Sequence, residues 1–111
     1  MTLPEFKRAL EAALDLHFPN ARLFLTETRG VAVTCRVELT ADVLLAVYFN
    51  ALTENTSYAL IQQGQRVAGF DNHRFWHAHP LGAADQHIPC DEPTPEVAVA
   101  ELAAGYSKLS S

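Results

Sequence analysis

The sequence predicts an α+β fold: an N-terminal helix, an antiparallel sheet of four to five strands in a meander, and a C-terminal helix. Three observations carry this expectation. Apolar residues recur at helical spacing from Phe6 to His17, the segment 31–39 alternates apolar and polar with a period of two, and a Thr-Pro start at Thr94-Pro95 opens a second helical stretch. Helices at both ends and hairpin-linked strands between them are the pattern of a sheet with its helices gathered on one face. The 111 residues suit a single domain, 1–111, since domains commonly run about 100–150 residues.

Thr2-Leu3-Pro4-Glu5 has the form of a capping box, with Pro near the first helical position, where its missing N–H costs nothing. Phe6, Ala9, Leu10, Ala13, Leu14 and His17 then form one stripe, with Lys7, Arg8, Glu11 and Asp15 opposite. Phe18-Pro19-Asn20 stops the helix. A strand over 21–28 ends at Arg29-Gly30. The clearest strand follows, with Val31, Val33, Cys35, Val37 and Leu39 on one side and Ala32, Thr34, Arg36 and Glu38 on the other. Val43 to Phe49 is apolar on both faces and belongs near the middle of the sheet. Segments 57–62 and 65–70 flank Gln63-Gly64, a hairpin tip, and His87-Ile88 starts a further short strand. Thr94 caps a second helix that runs to about Lys108.

The composition excludes several classes. A net charge of −5, from 8 Lys+Arg against 13 Asp+Glu, argues against a protein that coats nucleic acid through a basic surface. The longest apolar run, 43–49, is too short to span a bilayer. Two cysteines allow at most one disulfide, and the chain opens without a signal-peptide pattern, so a cytoplasmic, reducing compartment is expected.

The chemistry concentrates in 69–89, GFDNHRFWHAHPLGAADQHIP, which holds four of the five histidines and the one tryptophan. Histidine exchanges protons near neutral pH and carboxylates orient it, so Asp71, His77 and His79 are the expected catalytic group. In an extended segment His77 and His79 share a face. That suits an acid–base pair acting on a phosphodiester, with Asn72, Arg74 and Arg66 binding the substrate. The same spacing suits a metal, and the alternative is a Zn or Fe ion held by His77 and His79 with His73, Asp71 or His87. Asp71-Asn72 reads equally as an Asx turn, and Trp76 either stacks on a base or, the favoured reading, caps the core beneath the loop. In a third reading the loop is structural and the acidic terminal segments bind a basic partner.

A hairpin arm that runs into Gly69-Phe70-Asp71-Asn72, then His77-x-His79, then a C-terminal helix, resembles the TumE-type toxin family of prokaryotic toxin–antitoxin pairs. The likeness covers about half of the chain, roughly Tyr58 to Tyr106. Phe75-Trp76 and the acidic balance depart from the family's pattern. The resemblance implies an α+β toxin that acts on RNA and is neutralised by a helix-turn-helix antitoxin. Cutting RNA through its own 2′-hydroxyl needs no cofactor where paired acid–base groups and a positive clamp are present, and the sequence leaves a homo-oligomer open.

Overall fold

The structure, a computed structural model, describes residues 1–109. It consists of α1 (Leu3–His17), β1 (Arg22–Thr28), β2 (Ala32–Glu38), β3 (Val43–Asn50), β4 (Thr56–Gln62), β5 (Gln65–Asp71), β6 (His77–His79), β7 (Ile88–Pro89) and α2 (Pro95–Leu109). All strands belong to one antiparallel sheet in the order β1-β2-β3-β4-β5-β6-β7, an unbroken meander. The α+β architecture is as expected, but the sheet has seven strands among the described residues, not four to five. The surplus beyond five is β6, three residues long, and β7, two residues long, which falls one residue on from the short strand expected at His87-Ile88. Runs that short leave no periodicity to read. Proline bounds both, lacking the N–H that would extend a ladder, and β7 holds its proline at the sheet edge, where a missing donor is tolerated.

Both helices start as the sequence dictates. Thr2 Oγ1 accepts the Glu5 N–H at 3.2 Å while Glu5 Oε1 accepts the Thr2 N–H at 2.8 Å. Thr94 Oγ1 accepts the Val97 N–H at 3.2 Å. The α1 stripe buries Leu3, Phe6, Leu10, Ala13 and Leu14, and Phe6 stacks on Phe49 of β3 with ring centroids 4.3 Å apart. α1 packs against β2 and β3, α2 against β4 and β5, and the helices touch one another. The core lies beneath them, made by Val33, Cys35 and Val37 of β2, Val43, Leu45, Val47 and Phe49 of β3, and Tyr58 and Leu60 of β4. Trp76 packs against its margin. Cys35 is a packing residue, since burial first and Glu11 second push its thiol up to about 11.

Strand alternation decides where the functional loop faces. In β4 and β5, Tyr58 pairs with Phe70 and Leu60 with Ala68 on the helix side. Ser57 with Asp71 and Ala59 with Gly69 therefore face the open side of the sheet. The tip between them is Gln63-Gly64, both at positive φ (52° and 77°), the two-residue turn whose twist matches the strands. The register shifts between Leu60 and Ile61, so that Arg66 pairs with Ile61 and Val67 is left over as a bulge. The extra residue turns Arg66 to the open side, the re-aiming that bulges perform.

Candidate functional site

The site grows from the β5–β6 ladder on the open side of the sheet. Asp71 pairs with His77, Phe70 with Ala78 and Gly69 with His79, so Asp71, His77 and His79 project from one face of two adjacent strands. Asp71 Oδ1 lies 3.0 Å from His77 Nε2, and Asp71 Oδ2 lies 2.9 Å from His79 Nε2. One carboxylate thus holds two imidazoles. Its Oδ1 also accepts the backbone N–H of His73 at 3.1 Å, an Asx turn, and Arg66 Nη1 stands 3.5 Å from Oδ2.

Each imidazole is held at its other end by the main chain. His77 Nδ1 donates to the Phe75 carbonyl at 2.9 Å, and His79 Nδ1 donates to the Ala84 carbonyl at 2.9 Å. The turn after Pro80, with Gly82 at φ 85°, folds 80–88 back over the sheet and delivers both the Ala84 carbonyl and His87. Although they face the open side, His77 and His79 are only 3% and 2% exposed. His87 remains exposed, and its ring stands 4.7 Å from those of both His77 and His79, which are 4.8 Å from each other.

Gly69 makes the close approach possible. A β-carbon there would fall 2.4 Å from the Tyr58 carbonyl oxygen and 3.5 Å from Arg66 Cδ. Arg66 accordingly crosses the bare glycine to reach Asp71. Burial by itself would raise the Asp71 pKa. The His73 N–H, the His79 hydrogen bond and the charges of His77 and His79 outweigh burial and hold it below the ordinary carboxylate value.

These side chains line a cavity of about 510 Å³ whose wall is Arg66, Asp71, His73, Arg74, Phe75, His77, His79 and His87. It offers two guanidinium groups and one carboxylate, a field suited to an anion. A hollow of about 600 Å³ between Phe18 and Tyr106 has Arg22 and Glu38 as its charged lining and gathers no histidine.

The residues expected from the sequence are thus mostly brought together, with one exception. Asn72 does not line the cavity. Its Oδ1 accepts the Thr56 N–H at 2.8 Å and its Nδ2 donates to the Glu54 carbonyl at 2.7 Å, so the amide clamps the β3–β4 loop. Arg66 and Arg74 do reach the cavity, Arg74 from a left-handed backbone conformation at φ 71°. His73 reaches it too, but its tie to Asp71 is through the main chain. His87, placed by the sequence only among supporting ligands, joins His77 and His79 as an equal member of the cluster. The Pro80–Gly82 turn ahead of a returning strand is the signal that could have found it. Nothing local announces the Phe75 and Ala84 carbonyls, because any residue supplies a carbonyl.

No family model, curated protein or solved structure matches this chain. No helix among the described residues is long and apolar enough to cross a membrane.

Proposed function

We propose that the protein is a toxin-type ribonuclease whose reaction centre is the Asp71, His77 and His79 cluster. The observation that carries this reading is the single carboxylate gripping two buried imidazoles, at 3.0 and 2.9 Å, in the wall of a cavity that also contains two arginines. Cleavage of RNA through its own 2′-hydroxyl needs a group that takes the hydroxyl proton, a group that gives a proton to the leaving 5′-oxygen, and positive charge on the phosphate. Arg66 and Arg74 supply the charge. A phosphate drawn in by them displaces Asp71 from the ring Nε2 atoms, so that one ring, neutral, takes the hydroxyl proton and the other, carrying two protons, gives one to the leaving oxygen. The resemblance to TumE-type toxins supports the same substrate and implies a helix-turn-helix antitoxin as partner.

The test is cleavage of RNA by the purified protein beside His79→Gln and Arg66→Ala, with folding checked by circular dichroism. Loss of cleavage in both folded variants is expected. Wild-type rates in both would end the assignment. Relief of growth arrest by a co-expressed helix-turn-helix protein that binds this chain tests the partner.

A further inference from the structure

We propose that His77, His79 and His87 form a binding site for one divalent transition-metal ion of the zinc or ferrous class, with Asp71 as the anionic group beside it. The candidate ligand atoms of the three histidines all lie within 4.8 Å of one another. Nitrogens on a tetrahedral shell with metal–nitrogen bonds of about 2.0–2.1 Å stand roughly 3.4 Å apart, within reach of small side-chain shifts.

The hydrogen bonds argue more sharply than the distances. His77 and His79 each face an oxygen acceptor at both nitrogens, a backbone carbonyl at Nδ1 and Asp71 at Nε2. If both rings carry two protons, two cations and Arg66 crowd one carboxylate. If a ring is neutral, one of its nitrogens, Nδ1 or Nε2 according to the tautomer, faces an oxygen acceptor with no proton between them. A metal ion removes the conflict. Neutral rings keep the Nδ1–H bonds to the Phe75 and Ala84 carbonyls and turn their Nε2 lone pairs to the cation. An Nδ1–H held by a backbone carbonyl is the usual support of a metal-bound histidine, because it fixes the tautomer and the ring plane. His87 supplies the third imidazole from the side open to the cavity, which leaves room for a further ligand from solvent, as catalytic and exchangeable metal sites do. Imidazole ligands suit zinc, ferrous iron, nickel and copper over the oxygen-seeking magnesium and calcium.

The inference rests on the reading that this cavity is the working site, and it adds a regulator to it. Metal coordination and proton exchange need the same Nε2 nitrogens, so a loaded site withdraws His77 and His79 from cleavage.

Tag-free protein, stripped with chelator and dialysed, is titrated with Zn²⁺ by calorimetry and with Co²⁺ by its visible absorption. One equivalent is expected to bind. His87→Gln, whose exposed position spares the fold, is expected to weaken binding by roughly a hundredfold or more, beyond what loss of an outer-sphere partner costs. His73→Gln is expected to bind as the wild type does. Uptake below about a tenth of an equivalent, or equal affinity in His87→Gln, overturns the site and leaves the ribonuclease reading standing. One equivalent bound, with no cleavage of RNA in either stripped or loaded protein, overturns the ribonuclease reading and leaves the metal site standing. Zinc is expected to slow cleavage by the stripped protein, and acceleration would overturn the competition.

Discussion

Asp71 and His79 stand eight residues apart in sequence and 2.9 Å apart in space, joined from Oδ2 to Nε2 across the β5–β6 ladder. Asp71→Asn keeps the shape but removes the charge and puts an amide nitrogen against one of the two ring nitrogens, so that a ring carrying its proton there loses its acceptor. The cost is expected at about 1–3 kcal/mol, the range for a buried polar group left unpaired. Urea denaturation at pH 7 reads it, and a midpoint equal to the wild type would show that the carboxylate carries no structural weight.

The same carboxylate sets an acid limit. Its pKa is depressed in the folded protein, so its charge adds stability that is complete above the unfolded carboxylate value of about 4 and lost as the pH falls through the lower folded value. The stability gap between wild type and Asp71→Asn is therefore expected to be open at pH 7 and to close below about pH 4. Denaturation midpoints taken from pH 7 to pH 3 check the sign. A gap that widens toward acid would reverse it.

Gly69→Ala meets backbone on two sides, the Tyr58 carbonyl oxygen at 2.4 Å and the Ala59 Cα at 3.3 Å, so no side-chain rotation relieves it. Overpacking of this kind costs about 1–3 kcal/mol. At about 4–8 °C of Tm per kcal/mol for a domain near this size, the loss is easily seen in a melting curve. An unchanged Tm would mean that β4 and β5 separate without penalty.

Asn72→Ala removes two hydrogen bonds to the Glu54 and Thr56 main chain, a loss expected at about 1–3 kcal/mol. Amide exchange at Thr56 is expected to quicken while the KM for RNA stays at the wild-type value. A KM that rises with stability unchanged would restore Asn72 to the substrate.

Arg66→Ala tests the opposite role. Binding of uncleavable 2′-deoxy-substituted RNA is expected to weaken, and the slope of log affinity against log salt to fall by about one, the signature of one lost phosphate contact. A slope that does not change would confine Arg66 to its ion pair with Asp71.

The parts of this fold that the sequence made legible are those with a repeating signal. The α1 stripe, the Thr2 and Thr94 caps and the alternation of β2 each announce themselves within a few residues. The site was legible as a collection, since Asp71, His77 and His79 lie close along the chain. What joins them was not. Arg66 reaches Asp71 only because Val67 is a bulge residue, and a bulge is a property of two paired strands rather than of one. Asn72 has the right chemistry for a substrate contact, but the strand turns it toward Glu54 and Thr56, a loop some seventeen residues upstream that no local pattern connects to it.

The strictly sequential order of the sheet also bears on how the molecule is made. Each ladder joins strands adjacent in the chain, so each needs only a short loop to be closed, and sheet growth can follow synthesis from the N-terminus. β1 to β4 can pair before the histidines of 69–89 leave the ribosome. β6 then docks on the exposed edge of β5, and 80–88 closes over it before α2 is added. The cluster of Asp71, His77, His79 and His87 is therefore assembled late, on strands that have already paired.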